Sequence, residues 1–348
     1  MSAGSGGSSI AVDVQNPDGT WFDGDQCMGI SVAADPYPLD MYVMMDQSGS
    51  MSAPIGFSAK TQWVAIRDAF VNFLNASPSS GLSMGLQYFP LPIVPWDQVP
   101  TCDQQSNPNC GSGKMCLGLD NGDHCLTLCS GSTCAADAEC LSGTLSDGGT
   151  LHYCSNDSCK TSDYAAPEVE IAELPGNNAA LIASLNNHGP LTMTPSAPAL
   201  EGAIQHAKQW ASAHPDRTTV VVFATDGMPT VCTEDAMFPL TKVKQVAQDG
   251  VQGNPSIKTF VIGVGSMVAN LNQVAASGGT DKAFLVPATG DVTTEFAAAL
   301  EKIRGAMMDC EFQIPQSGAI NFEEVNVEYE SVDHVKTTLY SQIRRQGS

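Results

Sequence analysis

The strongest constraint on the fold is a series of continuous apolar runs that alternate with amphipathic segments. Residues 218–225 read Thr-Thr-Val-Val-Val-Phe-Ala-Thr, and residues 41–46 and 257–265 have the same apolar character. Such runs are typical of strands that are buried on both faces of a parallel sheet. The segments between them have helical spacing of apolar residues. The sequence therefore predicts an α/β fold with a doubly wound, mostly parallel central sheet and helices on both faces.

Further elements follow from the same patterns. Short strands are predicted over residues 82–89, 167–174 and 283–287. Helices are predicted over residues 60–74, 178–187, 197–213, 242–248, 271–276 and 292–308. Because ligand sites in open α/β sheets lie at the carboxyl ends of strands, the loops after Asp46 and Thr225 are the first places to search for a site.

The alternating pattern stops over residues 102–159, where Gly, Ser, Asn, Asp and Cys dominate. Nine of the chain's twelve cysteines lie in this segment. It has no C-x-x-C pair and only two histidines, His124 and His152, so disulfides in an oxidising compartment explain the cysteines better than zinc. We therefore predict a small, disulfide-stapled insertion within a main domain formed by residues 26–101 and 160–312.

The two ends of the chain differ from this main domain. Residues 1–25 read as a flexible Gly/Ser-rich linker, and residues 313–348 as a tail with one strand-like segment over 324–329. Neither a secretory signal nor an apolar run of transmembrane length is present. Disulfides require export, and the sequence shows no export signal. We therefore expect that a signal upstream of this sequence has been removed, and a lipid or cell-envelope anchor is possible in the same upstream region. The expected location is extracellular, at the cell surface or periplasmic.

The charge balance excludes nucleic acid as a partner. The chain has 15 basic and 37 acidic residues, which gives a formal net charge of −22. Such a field repels nucleic-acid phosphates and anionic membrane surfaces. It suits divalent cations or basic partners, although acidity of this kind also serves solubility alone.

An oxygen-rich motif, Asp46-Gln-Ser-Gly-Ser50, directly follows the first buried run. Alternate residues of an extended loop face the same way, so Asp46, Ser48 and Ser50 can direct one carboxylate and two hydroxyls to one point. Oxygen ligands suit a hard cation such as Mg²⁺, Mn²⁺ or Ca²⁺. Taken alone, the motif is also typical of a helix N-cap loop.

Two further segments change this interpretation, because Asp226 follows the central strand and Thr194 precedes a helix. Here the sequence resembles the von Willebrand factor A domain family over about residues 36–101 and 160–310. The family's metal-ion-dependent adhesion site combines D-x-S-x-S with a threonine and an aspartate from these loops. The resemblance implies five metal ligands: Asp46, Ser48, Ser50, Thr194 and Asp226. Thr192 competes with Thr194, but the distance from Thr194 to Leu200 matches the family's T-x-[ST]-x-x-[GA]-[LI] spacing.

The resemblance implies a binding function. In the family, the serines and the threonine hold the cation directly or nearly so, the aspartates act largely through water, and one position stays open for a partner's carboxylate. We expect an extracellular or cell-surface adhesion protein that recognises a protein or other acidic ligand through Mg²⁺, with Mn²⁺ and Ca²⁺ as alternatives. The segments Thr-Pro-Ser-Ala-Pro-Ala-Leu, Thr-Asp-Gly-Met-Pro-Thr-Val-Cys and Phe-Val-Ile-Gly-Val-Gly are also similar to cysteine-rich proteins of this type from myxobacterial surfaces.

The cysteine positions suggest two specific bridges. Cys27 and Cys310 lie near the two ends of the main domain, and because domain termini are often close, we predict that they pair. A Cys159–Cys232 bridge would fix the insertion near the metal face. The other eight would form four bridges of open connectivity: Cys102, Cys110, Cys116, Cys125, Cys129, Cys134, Cys140 and Cys154. The insertion is then either a specificity module beside the metal or a stapled surface loop without contacts.

Catalysis is not expected. The chain lacks a G-x-S-x-G elbow, a phosphate-binding G-x-x-x-x-G-K-[ST] loop and an H-E-x-x-H motif. Asp46 is followed by Ser48, where an aspartyl phosphatase needs a second aspartate. Two other functions stay open. One is a structural subunit of a surface assembly, in which the metal only stabilises the fold. The other is a cytosolic partner of a chelatase-type ATPase, against which the cysteines argue.

Overall fold

The computed structural model of the protein divides into two units, which are described separately: Tyr37–Met307, and a second unit made of Met1–Pro36 and Met308–Ser348. The residues that the structure describes are 9–12, 30–33, 38–55, 60–76, 81–105, 109–119, 121–130, 134, 137–144, 149–233, 237, 239–265, 270–286, 292–307, 327–330 and 336–339. Within these ranges, no helix has the length and apolar character that crossing a membrane requires.

The elements are numbered along the chain. The strands are β1 (Ser9–Val12), β2 (Ile30–Ala33), β3 (Leu39–Asp46), β4 (Leu82–Phe89), β5 (Lys114–Leu119), β6 (Gly122–Thr127), β7 (Cys140–Thr144), β8 (Thr150–Cys154), β9 (Val169–Glu173), β10 (Thr218–Thr225), β11 (Lys258–Val264), β12 (Phe284–Val286), β13 (Val327–Glu330) and β14 (Lys336–Leu339). The α-helices are α1 (Gln62–Ala76), α2 (Thr161–Tyr164), α3 (Asn178–Asn187), α4 (Ser196–Ala213), α5 (Leu240–Gln252), α6 (Leu271–Ser277) and α7 (Val292–Met307).

The larger unit is built on a six-stranded sheet with the order β12-β11-β10-β3-β4-β9. The first five strands are parallel to their neighbours, and β9 pairs antiparallel with β4 at one edge. Strand β3 lies inside the sheet, with β10 on one side and β4 on the other. This arrangement confirms the predicted α/β fold class with a mostly parallel central sheet.

Alternation along β3 explains why helices cover both faces of the sheet. Met41, Val43 and Met45 face a core that includes residues of α1, α3 and α7. Tyr42 and Met44 face the opposite core, with residues of α4, α5 and α6. All five side chains are fully buried. Since successive side chains of a strand point to opposite faces, a continuous apolar run is the pattern that a strand between two helical layers requires.

The amino end of β3 carries a buried carboxylate with a structural role. Asp40 is fully buried, and its Oδ1 accepts a hydrogen bond from Arg217 Nε at 2.7 Å. Its Oδ2 accepts a hydrogen bond from Trp210 Nε1, also at 2.7 Å. Arg217 continues to the hydroxyl of Ser83 on β4, at 2.7 Å. This network ties β3 to the end of α4 and to β4 at the sheet edge opposite Asp46.

The cysteine-rich insertion consists of two β-hairpins, β5–β6 and β7–β8, with the same disulfide plan. In each hairpin two cysteines face each other across the strands, Cys116 opposite Cys125 and Cys140 opposite Cys154. Each of them pairs with a cysteine upstream of its own hairpin. The four bridges are Cys102–Cys116, Cys110–Cys125, Cys129–Cys140 and Cys134–Cys154. The insertion is therefore two similar modules in tandem, each stapled by two disulfides in place of a large apolar core.

The second unit contains an antiparallel sheet with the order β14-β13-β1-β2. The prediction of a flexible linker over residues 1–25 is wrong at β1, and the tail contributes two strands where one was predicted. Strand β2 also belongs with this sheet and not with the main domain. Four-residue strands are stable only through their partners, and pairing between opposite ends of a chain leaves no local signal. Cys27 and Cys310 lie outside the described residues, so their pairing stays a prediction.

Candidate metal centre

The candidate site lies where the sheet changes its direction of winding. The chain passes from β3 to β4 on one side, and later places β10 on the other side of β3. Loops that leave the ends of β3 and β10 therefore diverge to opposite faces and leave a crevice between them. Asp46 is the last residue of β3, and Thr225 is the last residue of β10. Asp226 follows directly, so two carboxylates meet at this crevice.

Asp46 is held in one orientation by two donors. Its side chain is fully buried. The backbone N–H of Ser48 donates to Oδ1 at 2.7 Å, and the Thr225 hydroxyl donates to Oδ2 at 2.5 Å. The first contact closes the turn after β3, and the second ties that turn to the end of β10. Asp46 thereby fixes the relative position of the two loops that carry the other oxygen groups.

The two serines connect this loop to Asp226. The hydroxyls of Ser48 and Ser50 are 3.0 Å apart, within hydrogen-bond distance. The Ser50 hydroxyl donates to Asp226 Oδ1 at 2.8 Å. Four of the five residues implied by the resemblance, Asp46, Ser48, Ser50 and Asp226, are therefore adjacent at the carboxyl ends of β3 and β10.

Thr194 is linked to the neighbouring loops by backbone contacts of its own loop. The residue is 4% exposed, and its side chain makes no hydrogen bond to the other four residues in the described part of the chain. Its loop is tied to both neighbours: Gly49 N–H donates to Thr192 O at 2.8 Å, and Thr194 N–H donates to the Thr230 hydroxyl at 2.8 Å. The competing Thr192 directs its own hydroxyl to a different acceptor, Asp157 Oδ1, at 2.6 Å.

The electrostatics of the site favour a bound cation. Burial raises the pKa of Asp46 above its usual range. Burial, together with the nearby charge of Asp46, raises the pKa of Asp226 to about 7. Neither carboxylate forms an ion pair with a basic side chain among the described residues. A divalent cation would neutralise both carboxylates.

The donor chemistry fits the same kind of group. The set consists of carboxylate and hydroxyl oxygens, which Mg²⁺, Mn²⁺ and Ca²⁺ prefer over nitrogen and sulfur. The other clusters of potential ligands in the described residues are built around cysteines that are disulfide-bonded, which removes the thiolate that a metal needs.

The insertion reaches this face of the sheet. Cys159, where the insertion returns to the main domain, is bonded to Cys232 in the loop after Asp226, with an S–S distance of 2.02 Å. Glu139 of the insertion accepts a hydrogen bond from the backbone N–H of Cys232. The insertion is therefore not a loop without contacts, and both links secure the loop that carries Asp226.

Sequence reasoning did not identify three residues that shape the site, Thr225, Thr230 and Asp157. Thr225 could have been found, since it stands at the end of a predicted strand beside Asp226. Thr230 and Asp157 gave no signal of their own, because each acts on the Thr194 loop from a segment distant in sequence.

No protein-family model and no curated protein matches the sequence. Solved structures do match. They include the PilB minor pilin from Streptococcus sanguinis, with a TM-score of 0.45, 10% identity, and coverage of 82% of this chain and 66% of the pilin. The vWF domain of the type V pili tip protein Mfa5 from Porphyromonas gingivalis has a TM-score of 0.40 and 10% identity, and the match covers 80% and 99% of the two chains. Manganese-loaded Plasmodium vivax TRAP protein has a TM-score of 0.38 and 12% identity, and the match covers 90% of this chain and 91% of that protein. All three TM-scores lie below 0.5, so these matches carry no argument about function.

Proposed function

We propose that this protein is a von Willebrand factor A-type binding protein of the extracellular space or cell surface, and not an enzyme. It would recognise an acidic group of its partner through a divalent cation. The observation that carries the proposal is the pairing of two buried carboxylates, linked through Ser48 and Ser50, without a basic partner in the described residues. The five disulfides among the described residues support an oxidising location.

The residues divide into three roles. Ser48, Ser50 and Thr194 would hold the cation, and Asp226 would balance its charge through the Ser50 hydroxyl. Asp46 already accepts hydrogen bonds on both oxygens, so its main role is to orient the loop. A cation held mostly by neutral hydroxyls keeps a strong affinity for an external carboxylate, and this is the chemistry that it would supply to binding.

The alternative is a structural subunit of a surface assembly, in which the cation only stabilises the fold. The loop contacts favour the binding role. Direct hydrogen bonds from Thr225 to Asp46, from Gly49 to Thr192 and from Thr194 to Thr230 connect the three loops to one another. These bonds join the loops directly, without a cation between them, which supports a cation that serves binding more than folding.

The test uses the strong negative charge of the protein. A carboxymethyl-dextran surface repels a chain of net charge −22, so binding to it in Mg²⁺, reversed by chelator, requires a bridging cation. We expect the wild type to bind, and Asp226→Ala to lose binding while keeping its fold by circular dichroism. The matched control is Asp281→Ala, which removes an exposed carboxylate and should bind as the wild type does. If Asp226→Ala unfolds in chelator and in Mg²⁺ alike, the structural alternative is supported instead.

A further inference from the structure

One buried carboxylate near the site has no part in the function proposed above. Asp157 lies in the segment by which the cysteine-rich insertion returns to the main domain, and it is 1% exposed. Its Oδ1 accepts the hydrogen bond from the Thr192 hydroxyl at 2.6 Å, and its Oδ2 accepts one from Met193 N–H at 3.3 Å. Both donors belong to residues 191–194, which we call the threonine loop.

The threonine loop depends on contacts from outside, because it has no regular secondary structure. At one side, Thr192 O accepts from Gly49 N–H of the loop after β3. At the other side, Thr194 N–H donates to Thr230 in the loop after β10. Asp157 supplies the two bonds to the middle of the loop, directly before Thr194. It therefore contributes to the position of Thr194, which within the described ranges makes no hydrogen bond to the other four candidate ligands.

Asp157 is itself firmly held. The backbone residues on both sides of it hydrogen-bond to residues 91–93, which follow β4. Two residues further on, Cys159 is bonded to Cys232 in the loop that carries Asp226. A buried carboxylate without an ion pair, as here among the described residues, costs free energy that an apolar or amide side chain would not. Because Asp157 is held by its neighbours and bonds twice to the threonine loop, we expect it to position that loop.

We propose that Asp157 is a positioning residue of the cation site, through which the cysteine-rich insertion fixes the threonine loop and hence Thr194. This inference rests on the proposed function, since it assumes that the site binds a cation. It makes the insertion part of the binding apparatus and not only a neighbour of it. Loss of Asp157 should lower the affinity of the site for the cation without removing any of its ligands.

The experiment measures Mn²⁺ affinity by electron paramagnetic resonance, with hydrogen exchange of a peptide covering residues 188–196 in chelator. Asp157→Ala should weaken Mn²⁺ binding about tenfold, the lower end of the range for residues that orient metal ligands. Exchange of the Met193 amide should become faster in the metal-free protein. Thr192→Val removes one of the two Asp157 contacts and should also weaken Mn²⁺ binding, while Thr192→Ser keeps the hydroxyl and should retain wild-type affinity.

Asp40→Asn is the matched control, because it disturbs a buried carboxylate at the opposite end of β3. It should lower stability but leave Mn²⁺ affinity unchanged, which separates positioning from general destabilisation. Wild-type affinity in both Asp157→Ala and Thr192→Val would overturn the inference. If Asp157→Ala does not fold, the comparison of Thr192→Val with Thr192→Ser decides. A wild-type protein that binds no Mn²⁺ would instead refute the proposed function itself.

Discussion

Asp226→Asn should stabilise the metal-free protein at neutral and alkaline pH. The pKa of Asp226 is raised from 3.8 to about 7 by burial and by Asp46. A raised carboxyl pKa means that the folded state prefers the protonated form. The contribution of protonated Asp226 to the free energy of unfolding is fully present below about pH 4 and is lost as pH rises through about 7. Asparagine imitates the protonated acid and can still accept the hydrogen bond from Ser50, so it avoids this loss.

The magnitude follows from the size of the pKa change. About three pH units at 1.36 kcal/mol each give on the order of 4 kcal/mol at pH 8, as an upper bound for a site that water can enter. At pH 4 the wild type and the variant should have nearly the same stability. For a unit of this size, 4 kcal/mol corresponds to a midpoint shift on the order of 10 °C.

The assay is urea unfolding in chelator between pH 4 and pH 8, with the disulfides intact. Comparing Asp226→Asn with the wild type at each pH cancels the contributions of carboxylates that do not interact with Asp226, while the interaction with Asp46 is part of the measured difference. Asp281→Asn, at an exposed position, should show no difference at any pH. In Mg²⁺ the order should reverse, because the cation binds only the ionised site and stabilises the wild type by mass action. Equal or lower stability of Asp226→Asn at pH 8 in chelator would refute this reasoning.

Three other changes have defined outcomes. Asp40→Asn should lower the free energy of unfolding in urea by about 3 kcal/mol or more, because it leaves Arg217 without its buried partner; an unchanged value would contradict the structural role. Replacing Cys159 and Cys232 together by serine removes a bridge with a sequence separation of 73, which should lower the free energy of unfolding by at most about 4 kcal/mol. Calorimetry that shows no lower melting midpoint would argue against the bridge. Thr194→Val should keep its melting midpoint in chelator but lose the rise that Mg²⁺ produces; a rise equal to that of the wild type would remove Thr194 from the site.

The sheet could be predicted from sequence because its signal is local. Val220, Val221 and Val222 are all buried, as a strand between two helical layers requires, and Leu82–Phe89 and Thr218–Thr225 begin and end at the predicted residues. The positions of the candidate ligands at strand ends follow from the same local patterns. The antiparallel direction of β9 could not be predicted, because a short strand gives no sign of its orientation.

Contacts between residues that are distant in sequence could not be predicted from local sequence patterns. Pairing of β1 with β13 joins segments at opposite ends of the chain, and the sequence of neither four-residue strand indicates which strand it pairs with. The two hairpins of the insertion were missed because disulfides replace the apolar alternation that normally marks strands. Asp157 was missed for a related reason: its importance lies in the contacts with Thr192 and Met193, which only folding creates.

Whether the site binds a cation is decided by a Mn²⁺ titration followed by electron paramagnetic resonance, with the wild type beside Asp226→Ala and Asp281→Ala. We expect one bound Mn²⁺ per wild-type chain, the same for Asp281→Ala, and none for a folded Asp226→Ala. No bound Mn²⁺ in the wild type, or equal binding by all three proteins, would contradict the proposed cation site.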